Sequence, residues 1–210
     1  MPTLFPTKEM GAKTLPTLMT IAAPEQQMSL DALKSLGAEG KLNGLLLGNL
    51  LSAFTQLERD AVHLYRVVAS RTQYDDWRAR YEEFGKESET HVRIYEELIT
   101  RLGGDPNFVS PMARMCEHKS NKLLDTLLLS GSVDELTLEM TGLEAVIAAE
   151  HQCHSNWELL SALAETVADT TIKGALQDAV NQVMPQEDEH LTWAKTTWQK
   201  TLLGLLATPA

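Results

Sequence analysis

From Ser29 onward, apolar side chains recur at steps of three and four residues over long stretches, a spacing that lines them up on one face of an α-helix and on no single face of a strand. A short helix is expected at Ser29 to Leu36, ending at Gly37. The first long stripe carries Leu50, Phe54, Leu57, Ala61, Tyr65 and Val68, and the second Phe84, Ile94, Tyr95 and Leu98. A third carries Leu143, Val146, Ile147, Cys153, Trp157 and Leu160, and a fourth Leu176, Val180, Val183, Ala194 and Trp198. Four such stripes close on one core as an all-α bundle.

Punctuation between the stripes sets the boundaries. After a break near Arg71, Thr72 with Asp75 reads as an N-terminal cap for the second long helix, which stops at Gly103, Gly104, Asp105 and Pro106. Ser110 followed by Pro111 opens a connector helix over about 110–130, and Gly131 breaks it. Ser132 with Glu135 reads as the next capping box, and the last helix starts near Asp169. Pro185 falls inside that helix and is expected to bend it, or to restart it just before Glu187. Residues 1–28, with Pro2, Pro6, Pro16 and Pro24, read as an irregular arm in front of one helical domain over 29–210. Pro16 interrupts the mildly apolar segment Leu15 to Ala23, which argues against a signal peptide, and no run reaches membrane-spanning length.

Polar residues interrupt the stripes at one place on each long helix. Glu58, Glu87 with His91, Glu150, and Glu187 with His190 all fall on faces that should be apolar, and His154 faces the same way one turn after Glu150. Buried acids are costly unless something compensates them, and a pair of divalent or trivalent ions compensates four carboxylates almost charge for charge. The formal net charge of -11, from 18 basic and 29 acidic residues, points to small cations rather than nucleic acid as partners. Cys116 and Cys153, the two cysteines, form no Cys-x-x-Cys pair, so a four-cysteine metal site is excluded and a reducing, cytoplasmic setting is expected.

The polar positions repeat. Glu58 has Tyr65 seven residues later and His91 on the next long helix; Glu150 has Trp157 seven later and His190 on the next. The chain therefore reads as a duplicated helical hairpin whose halves pack about a pseudo-twofold axis. The long connection from 104 to 132 requires the second and third core helices to run parallel.

Over about Leu45 to Leu205 this pattern resembles the ferritin-like superfamily of bacterioferritins and rubrerythrins, which carries a Glu on the first and third core helices and Glu-x-x-His on the second and fourth. Glu187, Asp188, Glu189, His190 matches the motif literally, and Glu58 and Glu150 fall at the single-Glu positions. On the second helix, Ser88 stands three residues before His91, and the acid comes from Glu87 at four. The resemblance implies a four-helix bundle of two pseudo-symmetric hairpins with a helical crossover. It also implies that Glu58 and His91 hold one metal, that Glu150 and His190 hold the other, and that Glu87 and Glu187 bridge them. His154, by its own position one turn after Glu150, is expected as a seventh ligand or as a hydrogen-bond donor to one of the six.

Hard carboxylates with imidazoles suit two iron ions, with manganese as the alternative. The expected activity is oxidation of Fe(II) or a small molecule by O2 or peroxide, with a homodimer as the assembly, no membrane or nucleic-acid partner, and any reductant supplied from outside. The competing expectation is a helical bundle with a degenerate metal site, acting as a structural or interaction protein. Asp60 and His63 read as boundary residues, Glu139, Glu144, His118 and His151 as surface or flank, and Tyr95 and Trp157 as core beside the site.

Overall fold

Most of the helix starts are fixed by one side chain each. In a computed structural model that describes residues 22–129, 131 and 133–208, Ser29 accepts from the Ala32 N–H to start α1 (Leu30–Ser35). Asn43 does the same for α2 (Gly44–Arg71), Ser110 for α4 (Pro111–Leu128) and Asp169 for α6 (Thr170–Leu206). Such caps satisfy backbone donors that the helix itself cannot, and each contributes about 1 kcal/mol. α5 (Glu135–Thr166) is capped by Asp134, whose carboxylate accepts from Thr137 N. Ser132, the cap expected there, lies outside the described residues, as do residues 1–21 of the expected arm. Single 3₁₀ turns at Pro24–Gln26 and Ala38–Gly40 complete an order that contains no strand among the described residues.

α3 (Asp75–Arg101) starts differently from the expected capping pair. Its N-cap is Tyr74, without a side-chain bond, and Thr72 instead donates its hydroxyl to Glu139 Oε1 at 2.9 Å. The same carboxylate oxygen accepts from Gln73 N at 2.7 Å. Glu139, expected at the surface or flank, is thus buried at the start of α5 and serves the tight turn between α2 and α3. Removing it leaves the buried Thr72 hydroxyl, and the partly buried Gln73 N–H, without this acceptor. Glu139→Ala is therefore expected to destabilise the fold by about 1.5–3 kcal/mol, read as a shift in the urea midpoint with the m-value unchanged.

Side-chain pairs give the direction of every long helix. Arg59 with Glu96 and Arg66 with Glu89 make α2 and α3 antiparallel; His154 with Asp188 and Glu144 with Trp198 do so for α5 and α6. Across the hairpins, Glu58 meets Trp157 and Tyr65 meets Glu150, so α2 and α5 are antiparallel, which leaves α3 and α5 parallel. α4 makes the crossover and lies along α2. It is pinned at its start, where Ser110 N donates to Ser52 Oγ, which donates to Phe108 O, while Ser110 Oγ donates to Asn49 O. Pro185 does not divide α6, which runs through it as one helix. Pro185 and Asn181, whose carbonyl loses its helical partner, are both exposed, so water can satisfy that carbonyl.

The two hairpins share their apolar core. One cluster includes Leu51, Tyr95, Leu98, Trp157, Leu160, Leu176 and Val183, and another Tyr65, Tyr81, Phe84, Leu143, Val146 and Ala194, so both draw on all four long helices. On every one of those helices the inward polar residues fall between the two clusters. A polar layer is thus sealed above and below by apolar packing. No helix among the described residues is long and apolar enough to cross a membrane.

Candidate metal centre

Five side chains from the four long helices converge in this layer. Glu58 of α2, His91 of α3, Glu150 of α5, and Glu187 and His190 of α6 are each at most 2% exposed. His91 Nδ1 lies 2.9 Å from Glu187 Oε1 and 3.5 Å from Glu58 Oε2, and His190 Nδ1 lies 3.3 Å from Glu150 Oε2. Two groups of potential ligand atoms, each within 4.8 Å of one another, result: Glu58, His91 and Glu187, and Glu150, Glu187 and His190. Glu187 belongs to both.

Each outer carboxylate is held from the opposite hairpin. Tyr65 donates its hydroxyl to Glu150 Oε1 at 2.8 Å, and Trp157 Nε1 donates to Glu58 Oε1 at 3.0 Å, one bond from each hairpin to the other. These bonds use one oxygen of each acid. The other oxygens, Glu58 Oε2 and Glu150 Oε2, are buried without a hydrogen bond, as are Glu187 Oε2, His91 Nδ1 and His190 Nδ1. The imidazole nitrogens approach carboxylates closely yet lack the alignment of a hydrogen bond. Buried polar atoms are almost always paired, so five such atoms turned toward one small region fit a cation there.

Burial first, and then the crowding of acids, moves several groups of this layer from their ordinary values. Burial, with Glu58 and Glu150 adding to it, pushes the Glu187 carboxyl up to about 8. Burial opposes protonation of His91, but Glu187 and Glu58 outweigh it and hold the imidazole well above its ordinary value. His190 is raised in the same way: burial opposes, while Glu150, Glu87 and Glu187 prevail. Burial followed by the nearby acids also keeps the Cys153 thiol and the Tyr65 hydroxyl protonated. Protons on Glu187, His91 and His190 thus offset the charge of the neighbouring acids.

Two residues expected as ligands lie elsewhere. Glu87 stands outside both clusters and accepts from the far nitrogen of His190, Nε2, at 2.7 Å. The cause is helical geometry: the inward position three residues before His91 belongs to buried Ser88, and Glu87, one residue back, is turned by about 100°. His154, half-buried, pairs through Nε2 with Asp188 at 2.8 Å and faces Glu158 with Nδ1 at 3.6 Å, away from the clusters. Of the pair read as boundary residues, Asp60 is buried under α4 and accepts from Gln56, while His63 is exposed. Tyr95 stacks on Trp157 with ring centres 4.1 Å apart.

One contributor escapes a sequence reading. Gln186 bridges Glu87 and His91, its amide nitrogen 2.8 Å from Glu87 Oε1 and its carbonyl 2.9 Å from His91 Nε2. Its signal lies only in the repeat: Gln186 precedes His190 by four residues, as Glu87 precedes His91. No family model, curated protein or solved structure matches the chain. The functional argument therefore rests on the residues themselves.

Proposed function

We propose that the chain is a ferritin-like bundle that binds two iron ions, with manganese as the alternative, and oxidises Fe(II) or a small molecule with O2 or peroxide. The observation that carries this reading is the set of five buried, hydrogen-bond-free ligand atoms grouped around a shared Glu187. Glu58 and His91 would hold one ion and Glu150 and His190 the other, with Glu187 common to both. Three carboxylates and two neutral imidazoles form a hard donor set of the kind that iron and manganese favour. Bound as a pair, iron supplies the redox chemistry by which O2 or peroxide is reduced at the expense of Fe(II) or a small molecule.

The chain's own residues prepare that chemistry. Tyr65 and Trp157 fix one oxygen of Glu150 and of Glu58 and leave the other directed inward. The apolar clusters on both sides limit the approach of water. Cys116 and Cys153 as free thiols fit a reducing, cytoplasmic setting, and a homodimer remains part of the proposal. The degenerate-site alternative draws on Ser88, which stands where a second shared acid would complete the donor set.

Anaerobic loading with Fe(II), elemental analysis and then exposure to air separate the two. Two iron equivalents, with near-ultraviolet absorbance growing on oxidation, are the expected result. Well under one equivalent, unchanged by Glu150→Ala, would overturn the metal reading and leave the structural one.

A further inference from the structure

We infer that Glu87 is a positioning residue that sets the tautomer of both histidines, His190 by direct contact and His91 through the amide of Gln186. A carboxylate can only accept hydrogen bonds, so the hydrogen between Glu87 Oε2 and His190 Nε2 sits on the imidazole. In the neutral imidazole, His190 Nδ1 then keeps its lone pair on the inward side, where Glu150 lies. The other oxygen of Glu87 faces Gln186 at 2.8 Å and must receive the amide N–H, which turns the Gln186 carbonyl toward His91 Nε2 at 2.9 Å. A carbonyl also only accepts. His91 therefore carries its hydrogen on Nε2 as well, and in the neutral ring its Nδ1 lone pair is the one on the side of Glu58 and Glu187.

One acid thus orients both halves of the centre, although it touches only one histidine. The hydrogen-bond logic stands on its own, while its purpose, presenting two Nδ1 lone pairs to metal ions, rests on the function proposed above. Histidine ligands are commonly fixed through their second nitrogen, and loss of such a partner weakens metal binding.

The pseudo-twofold repeat makes the inference testable by exchange. In Glu87→Gln, a single carbonyl at position 87 faces two donors, His190 Nε2–H and the Gln186 amide, and can satisfy one. If it keeps His190, the Gln186 amide must turn over and present its N–H to His91, which then moves its hydrogen to Nδ1 and loses its inward lone pair. If it keeps Gln186, His190 changes instead. The double exchange Glu87→Gln with Gln186→Glu rebuilds the same network in mirror image, with the acid now on α6.

The experiment uses the full chain labelled with [15N]histidine, titrated with Zn(II) as a diamagnetic probe and read by long-range 1H–15N correlation spectra. Wild type and the double exchange are expected to show both histidines with hydrogen on Nε2 and to bind two zinc equivalents. Glu87→Gln is expected to move one histidine to the Nδ1–H form and to weaken one equivalent by about 10–100-fold. Two unchanged histidines and two unchanged equivalents in Glu87→Gln, or a double exchange that restores neither, would overturn the relay. Absence of zinc binding by the wild type overturns the metal reading instead; the tautomers are then read in the metal-free proteins, above the pH at which both imidazoles titrate.

Discussion

Glu187→Ala is expected to abolish metal binding in both halves of the centre, whereas Glu58→Ala and Glu150→Ala each remove one half and spare the other. The asymmetry follows from the geometry: Glu187 lies within reach of both histidines' clusters, while Glu58 accompanies only His91 and Glu150 only His190. A titration with Co(II), followed by its visible absorption, reads the stoichiometry directly. Glu87, to which the family resemblance assigns an equal bridging role, should behave differently. Its loss weakens binding, because it holds His190 from behind, but does not remove a whole set of ligands. An unaffected equivalent in Glu187→Ala would show that the two clusters do not share this acid.

The second large effect concerns the protein without metal. Glu58→Gln combined with Glu150→Gln is expected to stabilise the metal-free fold by roughly 1–3 kcal/mol, the scale on which relief of buried charge acts. Both amides can still accept the hydrogen bonds from Trp157 and Tyr65, so the exchange removes charge and keeps the outer contacts. The order reverses on metal addition, because a ligand that binds only the native state adds about 2.7 kcal/mol at a hundredfold excess over its Kd, and the variant loses that gain.

The pH dependence has a definite sign. A free glutamate titrates near about 4.3, and Glu187 is pushed up to about 8 by burial and by Glu58 and Glu150. Between those values the native state holds a proton that the unfolded chain has released, so metal-free stability falls as pH rises through that window. His91, raised by Glu187 and Glu58 against the cost of burial, acts in the same direction above the ordinary imidazole value of about 6.5. Thermal melts of chelator-treated wild type and double variant across this range check both statements. Equal or lower metal-free stability in the variant would mean that these acids do not crowd one another in the core.

The helical fold was legible because its stripes are long and because Ser29, Ser110 and Asp169 stand just before helix starts and do cap them. The parallel pair α3 and α5 followed from the length of the crossover. Local signals failed where tertiary contacts decide. Thr72 has a capping residue's chemistry but spends its hydroxyl on Glu139, sixty-seven residues away, and nothing within the first turn of α5 marks Glu139 as buried. Pro185 has a helix breaker's chemistry, yet its exposed position lets α6 pass through it.

In the centre, the convergence of Glu58, His91, Glu150, Glu187 and His190 was readable as polar breaks in apolar stripes, repeated at matching places in two hairpins. The side on which Glu87 would fall was harder to read. Spacings of three and four both keep a residue on the same broad helical face, and about 100° of rotation separates the cluster from the back of His190. Gln186 gave no signal of its own because a neutral amide in a polar stretch is unremarkable until Glu87, its counterpart in the sequence repeat, is placed. His154 faces inward by periodicity alone, but Asp188 and Glu158 hold it at the edge of the α5–α6 interface.

Crystals of iron-loaded protein, measured on both sides of the iron and manganese absorption edges, test the central claim most directly. Two anomalous peaks are expected, one among Glu58, His91 and Glu187 and one among Glu150, Glu187 and His190, with the edge that produces them naming the metal. A map without peaks in this polar layer, or with metal bound only at exposed carboxylates, would contradict the account.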